Sequence, residues 1–322
     1  MRNGTAHLPL HGGRARLGLA VFLLLTFGVT WALEIGVVRR YETGSVPYLL
    51  VLVGVMFVPG LSALFVRLFV ERQGFADAGL RWGRGRYYLA AWLLPVVFGL
   101  AAFGLSIWLR QAEFDPWMTE MMVQIKKRAP EMELPPFERM RIYIILASLT
   151  QAVVMNAIPC LGEEFGWRGY LLMRLLPLGT GRALVLTGAI WGVWHAPIIL
   201  QGHNYPDHPV LGVLLMVGFC VVLGVIFGWL RLASGSVFPA AVGHASVNGP
   251  GSLPLAFLRG RNDITTGLSG LLGQAVMLAF VLLLWRFGCV GNDAPKQRTF
   301  ERRDSLRQAQ GRPSVARGAP SE

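Results

Sequence analysis

The chain has 322 residues, 53% of them hydrophobic and only 15% charged, and its mean hydropathy is +0.49. Soluble domains carry about 25% charged residues, so this composition excludes a soluble globular enzyme as well as a disordered or collagen-like chain. The net charge of +12 would point to nucleic acid in a soluble protein. Here the basic residues sit between apolar runs and in the C-terminal tail, the pattern of cytoplasmic loops facing anionic headgroups. The expected partners are therefore membrane lipids, and no nucleic acid.

In chain order, residues 1–16 form a short basic N-terminus with Arg2, Arg14 and Arg16. The apolar run 17–38 follows, too long for a usual signal-peptide core and without a clear cleavage site; it reads as an uncleaved first helix. Further apolar runs fall at about 48–70, 87–109, 142–161, 183–200, 210–230, 236–250 and 268–288. About 20 apolar residues cross a bilayer, so the expectation is an all-α, polytopic transmembrane bundle of about eight segments: one domain over 17–290 with its motif core at 142–250. The seventh segment is short and interrupted by Pro239 and Gly243. The stretch 142–178, interrupted by Pro159 and Gly162, reads either as one long kinked helix or as a span followed by a second, deeper helix. The 117–128 part of the largest connection has the character of an interfacial amphipathic helix. From 291 to 322 the tail is polar, basic and expected to be disordered. Arg72, Arg81, Arg84 and Arg86 in one loop, the lack of Lys and Arg at 201–209, and the tail arginines favour an integral membrane protein with both termini cytoplasmic; Arg39 and Arg40 run against that orientation. Cys160, Cys220 and Cys289 have no paired spacing and read as buried small hydrophobes. Glu34 and Arg67 lie near span ends and are expected to snorkel.

Ionisable groups inside spans are costly and need a reason. They concentrate in three places. In GEEFGWRGY at 162–170, Glu164 and Arg168 are four residues apart and can pair on one face. Glu163 points elsewhere without a local cation, as a general base would, and Gly162, Gly166 and Gly169 leave room for close helix approach. In IWGVWHAPI at 190–198, His195 has Trp191 one turn earlier, and Pro197 leaves the Val193 carbonyl without its helical donor. In GHASVNGP at 243–250, His244 and Asn248 share a face and can both donate to one developing oxyanion. Each motif alone also reads as structure: a Glu–Arg clasp, a packed histidine, an interhelical polar clamp. Together they form the minimum set for amide hydrolysis: a water activated by carboxylate and imidazole, and two oxyanion donors. Neither HExxH nor Gly-x-Ser-x-Gly is present. His203 and His208, with Asp207, read as a solvated turn rather than a metal site.

The order Glu163-Glu164-x-x-x-Arg168, Trp191-x-x-x-His195, His244-x-x-x-Asn248 resembles the three motifs of the CAAX prenyl protease 2 family, whose prokaryotic members are the CPBP (Abi) intramembrane proteases. The resemblance covers about 142–250, with Trp191 standing where the family usually has Phe. It implies an endopeptidase in which Glu163 and His195 activate water, His244 and Asn248 hold the oxyanion, and Glu164, Arg168 and Trp191 support the site. It also implies a membrane-associated peptide or protein substrate, with C-terminal processing as in the family's prenylated substrates. A metal-free mechanism is favoured over zinc, since Asn is a poor ligand and Glu164 is engaged by Arg168; zinc on Glu163, His195 and His244 is the alternative. A proton-coupled transporter is the competing class, but transporters often show matched halves, whereas these polar motifs crowd one half. A non-catalytic membrane scaffold is the third reading.

Overall fold

The computed structural model describes residues 13–290 apart from 129 and 132; the expectations for 1–12 and for the 291–322 tail lie outside the described residues. The architecture is an all-α membrane bundle. Its helices are α1 (Gly13–Gly36), α2 (Val46–Val55), α3 (Val58–Phe65), α4 (Arg86–Trp108), α5 (Thr119–Arg128), α6 (Phe137–Leu149), α7 (Gln151–Gly166), α8 (Leu172–Leu175), α9 (Thr180–Trp194), α10 (Ala196–Leu200), α11 (Pro209–Ser234), α12 (Phe238–Ser246) and α13 (Leu271–Arg286). Two-residue strands β1 (Glu113–Phe114) and β2 (Leu258–Arg259) pair antiparallel and tie two connections together.

Five helical stretches are long and apolar enough to cross a membrane: Gly13–Arg40, Val46–Val70, Arg86–Trp108, Phe137–Leu178 and Pro209–Ser234. The other three expected segments exist but fall short of that length. The 183–200 run is split at His195 into α9 and α10, the 236–250 run is α12 plus a π-turn at Val247–Gly251, and Leu271–Arg286 has 16 residues. Pro239 sits in the first turn of α12, where a missing N–H costs nothing, so it starts that helix rather than interrupting it. Almost every residue of α12 is buried, between α7 and α4, so it is the inner helix of the bundle.

The 142–178 stretch is one long kinked helix. Phe137–Leu178 runs for 42 residues, or about 63 Å at 1.5 Å per residue, twice the hydrocarbon thickness. Its kink is at Thr150, with φ −121° and ψ −76°, where Thr150 Oγ1 donates back to the Leu146 carbonyl. Pro159 stays inside α7, and a π-turn at Trp167–Leu171 follows Gly166.

Lipid tails are as apolar as leucine, so helices in a membrane associate through close packing rather than hydrophobic burial. Gly162 and Gly166 do this for α7: a Cβ on either would run into the Phe57 and Pro59 backbone of α3. Gly188 and Gly192 do the same for α9 against α11. The buried residues of α1 are Ala15, Gly18, Phe22, Thr26, Thr30 and Glu34, one stripe that brings three polar side chains toward the bundle while Leu17 and Leu24 face outward. α5 forms at the expected amphipathic stretch, with none of its residues fully buried.

Candidate active site

Three local devices place the functional side chains. The first is the α7 end. Glu163 and Glu164 occupy its last turn, and Arg168 lies in the following π-turn; such bulges recur at functional sites. Glu164 and Arg168 are fully buried and paired, Arg168 Nη1 donating to Glu164 Oε1 at 2.8 Å. The Arg168 guanidinium lies 4.4 Å from the Trp191 ring centroid and 5.2 Å from that of Phe227, a cation–π sandwich. Glu163 takes no cation from its own helix. Its Oε2 accepts the indole N–H of Trp191 at 2.9 Å and that of Trp167 at 3.4 Å. Trp191 is thus more than an aromatic neighbour of His195: its indole holds the Glu163 carboxylate.

The second device is the break at His195. Pro197 withholds an N–H from the Val193 carbonyl, and α9 ends at Trp194 with His195 at φ −78°, ψ −6° before α10 begins. Here the imidazole Nδ1 is 2.9 Å from the Trp191 carbonyl. A carbonyl only accepts, so Nδ1 carries the proton and the Nε2 lone pair is left to act as a base.

The third is the end of α12. His244 Nδ1 lies 3.1 Å from Glu164 Oε1, so Glu164 holds Arg168 and His244 with the same oxygen. Asn248 lies in the π-turn; its Nδ2 meets Cys160 Sγ at 3.6 Å, and the residue is exposed while His244 is buried.

Glu163, His195, His244 and Asn248 line one cavity of about 170 Å³, together with Trp191. Asn248 also lines a larger, mainly apolar groove of about 980 Å³ built from α5, α6, the start of α7 and residues 249–261. The cavity and the groove therefore share Asn248.

Three expectations need correction. Glu34 is 2% exposed and Arg67 0%, so neither snorkels: Glu34 lines the site cavity, and Arg67 pairs with Asp77 at 2.7 Å. His203 is not in a solvated turn; it faces the cavity, 2.9 Å from the Tyr48 hydroxyl. Burial holds its imidazole below the usual histidine range. His208 is exposed, as a solvated turn requires, and pairs with Asp263 at 2.7 Å. Cys289 is exposed, whereas Cys160 and Cys220 are buried as expected.

Among the described residues, no three His, Cys, Asp or Glu side chains cluster as metal ligands. Glu164 Oε1 is taken by Arg168 and His244, and one oxygen of Glu163 by two indoles.

Sequence comparison bears directly on this cluster. Residues 144–249 match the family described as Type II CAAX prenyl endopeptidase Rce1-like, a range that encloses every site residue from Glu163 to Asn248. A CAAX prenyl protease 2 of Methanococcus maripaludis is 28% identical over 123 residues, 36% of this chain and 45% of that protein. The chain thus matches about half the length of this curated relative, and the resemblance read from the three motifs holds over that region.

Proposed function

We propose that the protein is an intramembrane endopeptidase, and that it hydrolyses a peptide bond of a membrane-associated protein or peptide, with processing near a C-terminus as the substrate class its relative's name suggests. The observation that carries this reading is the convergence of Glu163, His195, His244 and Asn248 on one small cavity beside an apolar groove. Water held between Glu163 and the Nε2 of His195 loses a proton as it attacks the scissile carbonyl. Asn248 Nδ2 and the second ring N–H of an imidazolium at His244 donate to the oxygen where charge develops. Glu164 orients His244 and Arg168 together, and Trp191 holds both Glu163, through its indole, and His195, through its carbonyl. The groove takes the substrate's apolar segment, with Asn248 at the junction.

No step in this scheme passes through a metal. Strong chelators are therefore expected to leave cleavage intact, and loss of activity on chelation with recovery on zinc would replace the scheme. The deciding experiment is cleavage of a membrane-anchored peptide by the purified protein in liposomes, wild type against Glu163→Ala. Equal activity of the two, or none in either across a substrate panel, would overturn the reading. The arginine distribution favours both termini in the cytoplasm, so a C-terminal reporter active only outside the cytoplasm should stay silent.

A further inference from the structure

The site cavity has a polar end that the hydrolytic scheme does not use. Glu34 reaches it from α1, four residues after Thr30 on the buried stripe. Its place is set by several bonds between α1 and the site helices. Trp194 Nε1 donates to Thr30 Oγ1 at 2.9 Å, Trp31 Nε1 donates to the Trp194 carbonyl at 3.1 Å, and Gln201 Nε2 donates to the Glu34 carbonyl at 3.2 Å. Yet Oε2 of this buried side chain has no protein partner among the described residues, and the side chain lines the same cavity as Glu163 and His195. His203 and Asn204 line it too, from the loop between α10 and α11, and Asn204 is exposed.

A buried acceptor needs a partner, and a cavity with convergent polar groups and room for more than one water is where ordered water is found. A hydrolase buried among apolar helices consumes one water per turnover, and the apolar groove is a poor source of it. Building on the proteolytic reading above, we propose that Glu34 is a positioning residue: its Oε2 orders the water that passes from the 201–208 loop, beside His203 and Asn204, to Glu163 and His195. Substrate and water then reach the reacting atoms from different sides, substrate along the groove at Asn248 and water from the loop.

The test uses the full chain in liposomes with Glu34→Leu, which keeps the volume and removes the acceptor, and Glu34→Gln, which keeps an acceptor oxygen. Glu34→Leu should lower kcat by about tenfold or more with KM within about twofold, and Glu34→Gln should retain most of kcat. The melting temperature of Glu34→Leu should stay close to wild type, because a leucine of similar volume replaces a side chain whose Oε2 has no protein partner among the described residues. A second readout needs no substrate. Hydroxyl-radical footprinting reports ordered water beside a side chain; oxidation of the buried cavity residues Met216 and Trp194 should drop about threefold or more in Glu34→Leu, while exposed Trp285 stays unchanged. Unchanged Met216 and Trp194 labelling, or an unchanged kcat in Glu34→Leu, would overturn the inference. If labelling falls but the wild type cleaves nothing, the water path stands and the proteolytic reading is what fails.

Discussion

The long Phe137–Leu178 helix carries two buried ionic clusters, and they differ in completeness. At Arg174, Glu71 accepts the Tyr170 hydroxyl at 2.8 Å and Arg174 through Nε at 3.1 Å and Nη2 at 2.5 Å. Asp77 accepts Arg67 at 2.7 Å and Arg174 at 3.0 Å, and Arg67 Nη2 continues to the Gly169 carbonyl at 2.8 Å. Two arginines meet two carboxylates, and all four carboxylate oxygens have donors; Arg67 Nε is the one atom of these charged groups without a partner among the described residues. The Glu163–Glu164–Arg168–His244 cluster, one to three turns earlier, is left short. Glu164 Oε2 and Arg168 Nε and Nη2 have no partner among the described residues, and Glu163 faces a cavity instead of a cation. A network whose carboxylates are all paired braces a fold. A cluster with unmet hydrogen-bonding capacity next to a cavity is prepared to act on something else. The first cluster fastens the 71–77 loop to the long helix; the second is where chemistry is expected.

That contrast can be broken by substitution. Glu163→Ala should abolish proteolysis and cost less stability than Glu164→Ala, because it leaves the Trp167 and Trp191 indoles without an acceptor but no buried charge behind. Near-normal cleavage by this variant would remove Glu163 from the mechanism. Glu164→Ala and Arg174→Ala should both cost stability, about 3–5 kcal/mol each, because a buried partner is left unpaired. Only Glu164→Ala should also lower the activity of the remaining folded protein; denaturation curves beside specific activity would show whether the clusters divide this way. Asn248→Ala should slow turnover by about 10²–10³ with little change in stability, since the residue is exposed and its bond to Cys160 is long. The His244→Ala, Asn248→Ala double variant should lose much less than the product of the single losses if both serve one oxygen. Multiplicative losses would separate them.

The smallest expected effect is a pH dependence of the bracing cluster. Burial pushes the Asp77 carboxyl up, but the hydrogen bonds and charges of Arg67 and Arg174 outweigh it and hold the group below the usual carboxylate range. A carboxylate depressed in the folded state stabilises the protein above its unfolded pKa, about 3.9, and that contribution is lost as pH falls through the folded value. Thermal stability measured downward from about pH 5 should therefore decline more steeply in the wild type than in Asp77→Asn, with the two curves parallel near neutrality.

Much of this molecule was legible from residue pattern alone. The membrane class follows from composition, because long charge-free runs have no other stable solvent. The three motifs follow from the cost of placing ionisable groups in such runs, and Glu164–Arg168 pairs as the i,i+4 spacing requires. The kink at Pro197 follows from a missing N–H. Even Glu34 left a signal in Thr26, Thr30 and Glu34, a polar i,i+4,i+8 stripe on an otherwise apolar helix, though its nearness to a span end pointed to snorkelling instead.

Tertiary structure decided the rest. Trp167 lies one turn after Glu163 on the same long helix, but Trp191 is on another helix, and only packing brings its indole to the same Glu163 Oε2. His244 shares Glu164 with Arg168 because α12 is the inner helix against α7, an adjacency with no local signature. The Thr150 kink and the π-turns at Trp167–Leu171 and Val247–Gly251 depart from the 3.6-residue period that sequence spacing assumes. Spacing along one helix is set by covalent geometry and can be read from sequence. Which helix lies beside which depends on close approach at glycines such as Gly162, Gly188 and Gly192 and on the polar groups each helix must satisfy, and those are properties of the assembled bundle.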